Sequence, residues 1–138
     1  MPDKYAVFGN PIEHSKSPNI HRAFANQTDQ VMGYNKQLVD VDGFVAAADQ
    51  FFQSGGRGLN VTAPFKLDAY GYASRTTSRA RRAGAINTLA MQADGTVRGD
   101  TTDGSGLVRD LTQNLSWEIR AKRVLILGAG GADRGVLE

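Results

Sequence analysis

Short apolar runs alternate along this chain with stretches of helical period, and that alternation confines the fold to a sheet covered by helices. Tyr5 to Phe8 reads as the first strand. Gly9, Asn10 and Pro11 open a polar loop, and Ser17 followed by Pro18 reads as an N-cap and first-turn proline of a helix through Gln27. Tyr34 to Val39 is the second predicted strand. Between Asp42 and Phe52 the residues Phe44, Val45, Ala48, Phe51 and Phe52 recur at helical spacing, and Gly55 with Gly56 ends that helix. Gly58 to Thr62 is a third strand; Pro64 begins a short helix, and TTSRARRAG forms another that Gly84 stops. Ala85 to Met91 and Thr96 to Arg98 make a hairpin around Ala93, Asp94 and Gly95. Asp103 starts a helix with Leu107, Val108, Leu111 and Leu115 on one face, and Leu115 to Lys122 is a linker.

Arg123 to Leu127 then reads as a compact apolar strand running into GAGGADRG. A strand followed by such a turn is how a dinucleotide-binding βαβ unit begins, because small residues let the backbone approach a pyrophosphate at a helix N-terminus. Only three residues follow Gly135, so the rest of a unit of roughly 30 residues is missing. The chain is expected to be a fragment of a longer protein.

Composition narrows the chemistry. With 16 Lys plus Arg against 14 Asp plus Glu the net charge is only +2, despite a pI near 9.1, and nucleic acid is not implied. The one dense basic patch, Arg75, Arg79, Arg81 and Arg82, has no interleaved aromatics. It is either a solvated helix face or a neighbour of an anionic cofactor phosphate. The absence of cysteine excludes disulfides, thiolate nucleophiles and Cys-ligated zinc, and two histidines are too few for most His-built sites, so no metal is expected. No apolar run approaches the ~18 residues of a membrane span and no signal peptide leads the chain, so a cytoplasmic protein without a membrane partner is expected.

Four polar segments stand at strand ends and turns, where α/β proteins place their sites. In GNPIEHSKSP, Ser15 and Ser17 flank Lys16 ahead of a helix, a setting for carboxylate binding or simply an N-cap and a loop residue. His14 and His21 read as surface or packing residues. In GLNVTAPFK, Lys66 follows a strand ending in Asn60 and Thr62, and serves either acid/base work or solvation alone. In AGAINTL, the amide of Asn87 within an apolar strand needs partners from backbone, water or ligand. In RGDTTDGSG, Asp103 either caps its helix or faces Lys66, where the two would form a proton-moving couple.

Taken in order, GNPIEHSKSP, NVTAPFK, AGAINTL, GDTTDG and GAGGA resemble the shikimate dehydrogenase family across nearly the whole chain. The resemblance implies an N-terminal α/β substrate domain with a mixed sheet and helices on both faces, followed by the first β-turn-α of a Rossmann NADP-binding domain. The implied boundaries are 1–102 for the substrate domain, 103–120 for a helix and linker, and 121–138 for the start of the Rossmann domain. The implied activity is reduction of 3-dehydroshikimate to shikimate with NADPH, in the shikimate pathway of aromatic amino acid biosynthesis. Ser15 and Ser17 would hold the substrate carboxylate, and Thr62, Lys66, Asn87 and Asp103 the ring hydroxyls, with Lys66 as acid/base and Asp103 as its partner. Gly128, Ala129, Gly130, Gly131 and Ala132 would form the cofactor's diphosphate loop.

The family's usual Asn-Thr-Asp-Gly stands here as Thr101, Thr102, Asp103 and Gly104; Asp133 follows the glycine turn, and Ser78 replaces a frequent acid. Asp133 would repel a pyrophosphate if it pointed inward. The chain alone is expected to be inactive, because hydride transfer needs nicotinamide held against the substrate. Quinate/shikimate dehydrogenase is the nearest alternative enzyme, and a non-catalytic module binding a polyol carboxylate is the alternative of another class. A homodimer through an exposed Arg123 to Leu127 strand is a further expectation.

Overall fold

A computed structural model of the chain describes residues 2–137. The alternation in DKYAVFG sets up β1 (Asp3–Gly9), which sends Ala6 and Phe8 to one face and Tyr5 and Val7 to the other. Ala6, Val7 and Phe8 are all buried, which marks a central strand covered on both sides. β1 pairs in parallel with β2 (Met32–Leu38) and with β3 (Gly56–Val61). Parallel neighbours need a crossover, and α1 (Ser17–Gln27) and α2 (Phe44–Gln53) supply the two. α1 packs over β1 and β2, while α2 contributes to the main core on the opposite face.

Past β3 the chain forms α3 (Lys66–Tyr72), β4 (Arg75–Thr76) and α4 (Ser78–Ala83), then a hairpin of β5 (Thr88–Met91) and β6 (Val97–Asp100). β5 runs antiparallel to β3 and β6, and β4 lies parallel to β6, giving the order β2-β1-β3-β5-β6-β4 in a six-stranded mixed sheet. The core joins Phe8, Leu59, Val61 and Leu89 from the sheet to Phe44, Ala48 and Phe52 of α2, to Phe65 just before α3, and to Ala69 of α3 and Ala80 of α4. Phe44 stacks on Phe65 with ring centroids 5.4 Å apart, an arrangement that adds to simple area burial. The α/β architecture with helices on both faces is therefore as expected.

α5 (Asp103–Arg109) starts beyond β6, continues through a π-helical turn at Asp110–Asn114, and receives α6 (Gly131–Val136) against its flank. Gly104 and Gly135 meet at that crossing, where a Cβ on Gly104 would strike the Gly135 carbonyl.

Several expectations are corrected. Arg123 to Leu127 is not a strand: no strand pairs with it among the described residues, and Val124, Leu125 and Leu127 are 68%, 82% and 85% exposed. Apolar β-formers make a strand only where a neighbour satisfies their backbone groups. The regular helix from Asp103 ends at Arg109, and Leu107, Val108 and Leu115 face solvent instead of a core. β5 begins at Thr88 and not at Ala85, and the Ile86 N–H donates to the Lys66 carbonyl at 2.9 Å. β4 is an addition that no sequence signal marks.

Candidate active site

The loop before α1 brings Ser15 and Ser17 together, with the Ser17 N–H donating to Ser15 Oγ at 3.3 Å. Lys16 occupies the cap position of α1, no side chain caps it, and Ser17 is already the first helical residue. The N-cap reading of Ser17 is thus corrected, and its hydroxyl is left for other partners. His21, one turn on, places Nδ1 2.9 Å from the Ser17 carbonyl oxygen and stacks on Tyr34 at 4.1 Å with the planes 14° apart. His21 is a packing residue, as its sequence context predicts.

Thr62 directly follows β3, the Phe65 N–H closes a turn onto the Thr62 carbonyl at 3.0 Å, and α3 opens with Lys66. The Lys66 ammonium lies 2.5 Å from Asp103 Oδ2, with the two side chains 15% and 34% exposed. Thr102, not Asp103, occupies the cap position of α5, so the choice left open by the sequence resolves toward the Lys66 pair. Asn87 is buried beside them: its Nδ2 donates to Asp103 Oδ1 at 2.8 Å and to Thr102 Oγ1 at 3.0 Å. The Asn87 oxygen accepts from the Thr102 N–H at 3.1 Å and from the Thr88 hydroxyl at 2.9 Å. Both Asp103 oxygens are thereby fixed, while the ammonium, with three donors, keeps capacity for a ligand oxygen. A fixed carboxylate beside a partly shielded ammonium is a couple able to deliver and recover a proton.

The turn that carries Asp103 is anchored by Asp100, and sequence reasoning missed this anchor. Arg79 grips Asp100 with two parallel hydrogen bonds of 2.7 and 2.6 Å, and the Thr77 hydroxyl and Thr101 N–H add bonds of 2.7 and 2.8 Å. Arg79 beside Asp100 holds that carboxyl below the usual carboxylate range, against the opposing effect of burial. Arg79 is thus paired with Asp100 while its side chain stays 37% exposed. The only signal for it was local: Thr77 caps α4 by accepting from the Ala80 N–H at 3.2 Å.

A cavity of about 430 Å³ lies between Lys66 and the glycine turn, lined by Thr62, Pro64, Lys66, Gly130, Gly131 and Asp133 among others. Ala132 also lines it, whereas Gly128, Ala129, Ser15, Ser17, Asn87 and Asp103 do not. Gly131 sits so near the lysine that a Cβ there would stand 3.0 Å from Lys66 Cβ. Asp133 points inward, accepting from the Gly130 N–H at 2.8 Å and filling the space beside Gly128. Among the described residues no His, Asp and Glu side chains cluster to hold a metal, and no helix is long and apolar enough to cross a membrane.

Comparison with known proteins gives this geometry its context. Residues 7–89 match the family described as the shikimate dehydrogenase substrate binding domain. The chain is 63% identical over 138 residues to the shikimate dehydrogenase (NADP(+)) of Cellvibrio japonicus (strain Ueda107), covering 100% of this chain and 50% of that protein. Its fold superposes with a TM-score of 0.88 on shikimate 5-dehydrogenase from Thermus thermophilus in complex with shikimate, at 29% identity over 97% of this chain and 50% of that one. A shikimate dehydrogenase in complex with NADP+ gives a TM-score of 0.91 at 31% identity, over 99% of this chain and 47% of that one. The chain thus spans about half the length of the curated relatives it matches. A family match across most of the sheet, with that identity along the whole chain, makes it a member of the shikimate dehydrogenase family.

Proposed function

We propose that this chain is the substrate-binding part of an NADP-dependent shikimate dehydrogenase, reducing 3-dehydroshikimate to shikimate with NADPH in the shikimate pathway of aromatic amino acid biosynthesis. The observation that carries the reading is the Lys66–Asp103 couple, held by Asn87, with Lys66 lining a cavity that the glycine turn also lines. Lys66 Nζ donates a proton to the ring oxygen as the ketone is reduced and takes it back in the oxidation direction. Asp103 Oδ2 keeps the lysine in place through both, and Asn87 keeps Asp103 in place. Thr62 addresses a ring hydroxyl from the same cavity, and the uncapped Ser17 hydroxyl with Ser15 takes the carboxylate.

Gly128, Ala129, Gly130, Gly131 and Ala132 would hold the diphosphate of NADP, which when bound supplies the hydride. Gly131 fits that role because a side chain there would intrude on Lys66. Asp133 must yield the Gly130 N–H to a diphosphate placed on this turn. In this reading 1–102 is the substrate domain, 103–120 a helix and linker, and 121–138 the start of the cofactor domain. The setting is cytoplasmic, and the partners are the small-molecule substrate and a second copy of the chain docked through the exposed Val124, Leu125 and Leu127.

Calorimetric titration of shikimate into the wild-type chain and Lys66→Ala tests the reading. Wild type binds saturably and Lys66→Ala binds about tenfold or more weakly, because a hydrogen bond to a charged group is lost. A folded wild-type chain that does not bind shikimate contradicts it.

A further inference from the structure

Tyr34 has no part in the chemistry above, yet it is fixed on two sides. It lies on the edge strand β2, and its ring stacks on His21, itself held at the Ser17 carbonyl. Its hydroxyl donates to Asn60 Oδ1 at 2.5 Å, although Asn60 is on β3 and the whole of β1 lies between the two strands. A phenol is among the few side chains that can span that distance and still end in a donor.

The Asn60 amide, held by its oxygen, turns Nδ2 toward the Asn87 carbonyl and the Thr88 hydroxyl, each at 3.5 Å, and Thr88 in turn donates to Asn87 Oδ1. Tyr34, Asn60 and Thr88 also line a concavity of about 560 Å³ on the open face of the sheet, so solvent stands behind the wall they form. Burial pushes the Tyr34 phenol above its ordinary value. The phenol therefore stays a neutral donor at neutral pH.

Resting on the substrate reading above, we infer that Tyr34 is a positioning residue: its ring, stacked on His21 at the Ser17 carbonyl, and its hydroxyl, bonded to Asn60, tie the Ser17 end of the site to the Asn87–Asp103–Lys66 group. It touches no reacting atom; it fixes the two ends of the ring site relative to one another.

Tyr34→Phe keeps the ring and its stack on His21 and removes only the hydroxyl. Calorimetry should show shikimate binding weakened about three- to tenfold, with the melting temperature close to that of wild type. Asn60→Ala, with Tyr34 intact, gives a loss of the same size and serves as an independent variant. In the Asn60→Ala background, Tyr34→Phe adds less than about a twofold further loss, because the two act as a unit, whereas a merely structural tyrosine would give losses that multiply. Wild-type affinity in Tyr34→Phe, or multiplying losses, overturns this inference alone. A folded wild-type chain that fails to bind shikimate overturns the substrate reading and this inference with it.

Discussion

Asp100 shows how one side chain organises the site from behind. Its carboxylate takes two hydrogen bonds from Arg79, one from Thr77 and one from the Thr101 N–H, and the turn so fixed presents Asp103 a few residues later. Asp100→Asn exchanges a bidentate ion pair for an amide and should cost about 2 kcal/mol of stability at neutral pH. Arg79 depresses the Asp100 carboxyl in the fold, so its contribution is complete above the unfolded carboxylate value of ~3.9 and is lost as pH falls through the lower folded value. Urea midpoints of wild type and Asp100→Asn should therefore stand further apart at pH 7 than at an acid pH below the unfolded value of ~3.9. A gap that is equal at both pH values would contradict this role.

At the scale of elements, legibility followed locality. α4 was readable because its signals lie within its own turn, with Thr77 capping the start and Gly84, at a φ of 61°, ending the helix in the left-handed region where a side chain is strained. β1, α1, α2 and the β5–β6 hairpin were readable because side-chain period and turn residues mark them directly. Arg123 to Leu127 has the composition of a strand, but its state depends on a partner that no local pattern encodes, and the described residues supply none. β4 escaped for the same reason, since its two residues become a strand only by lying beside Arg98 and Gly99. In the site, spacing marked Lys66 and left Asp103 open between a helix cap and an ion pair with it, and the family resemblance favoured the pair. The Arg79–Asp100 and Tyr34–Asn60 contacts join residues 21 and 26 positions apart, out of reach of any sequence window.

At the scale of the whole molecule, the position of the glycine turn over Lys66 depends on α6 docking against α5, and that docking passes through two glycines. Gly104 meets the Gly135 carbonyl, and a Cβ on Gly135 would stand 2.8 Å from Thr101 Oγ1. Gly104→Ala should loosen α6, at a cost of about 1–3 kcal/mol, and leave the sheet intact. Hydrogen exchange checks it: amides within Gly131–Val136 exchange at least about fivefold faster, while those of β1 and β3 keep their protection. Unchanged exchange in α6 would mean that the helix is held elsewhere. The central claim is that Lys66, Asn87 and Asp103 form a shikimate site, and it is tested most directly by NMR titration of shikimate into the ¹⁵N-labelled chain. Saturable shifts concentrated at Ser15, Ser17, Thr62, Lys66, Asn87 and Asp103, with Arg75 and Asp94 unmoved, are the predicted result. Saturable shifts centred on the open sheet face around Tyr5, Met32 and Arg57, or no shifts at all, would contradict it.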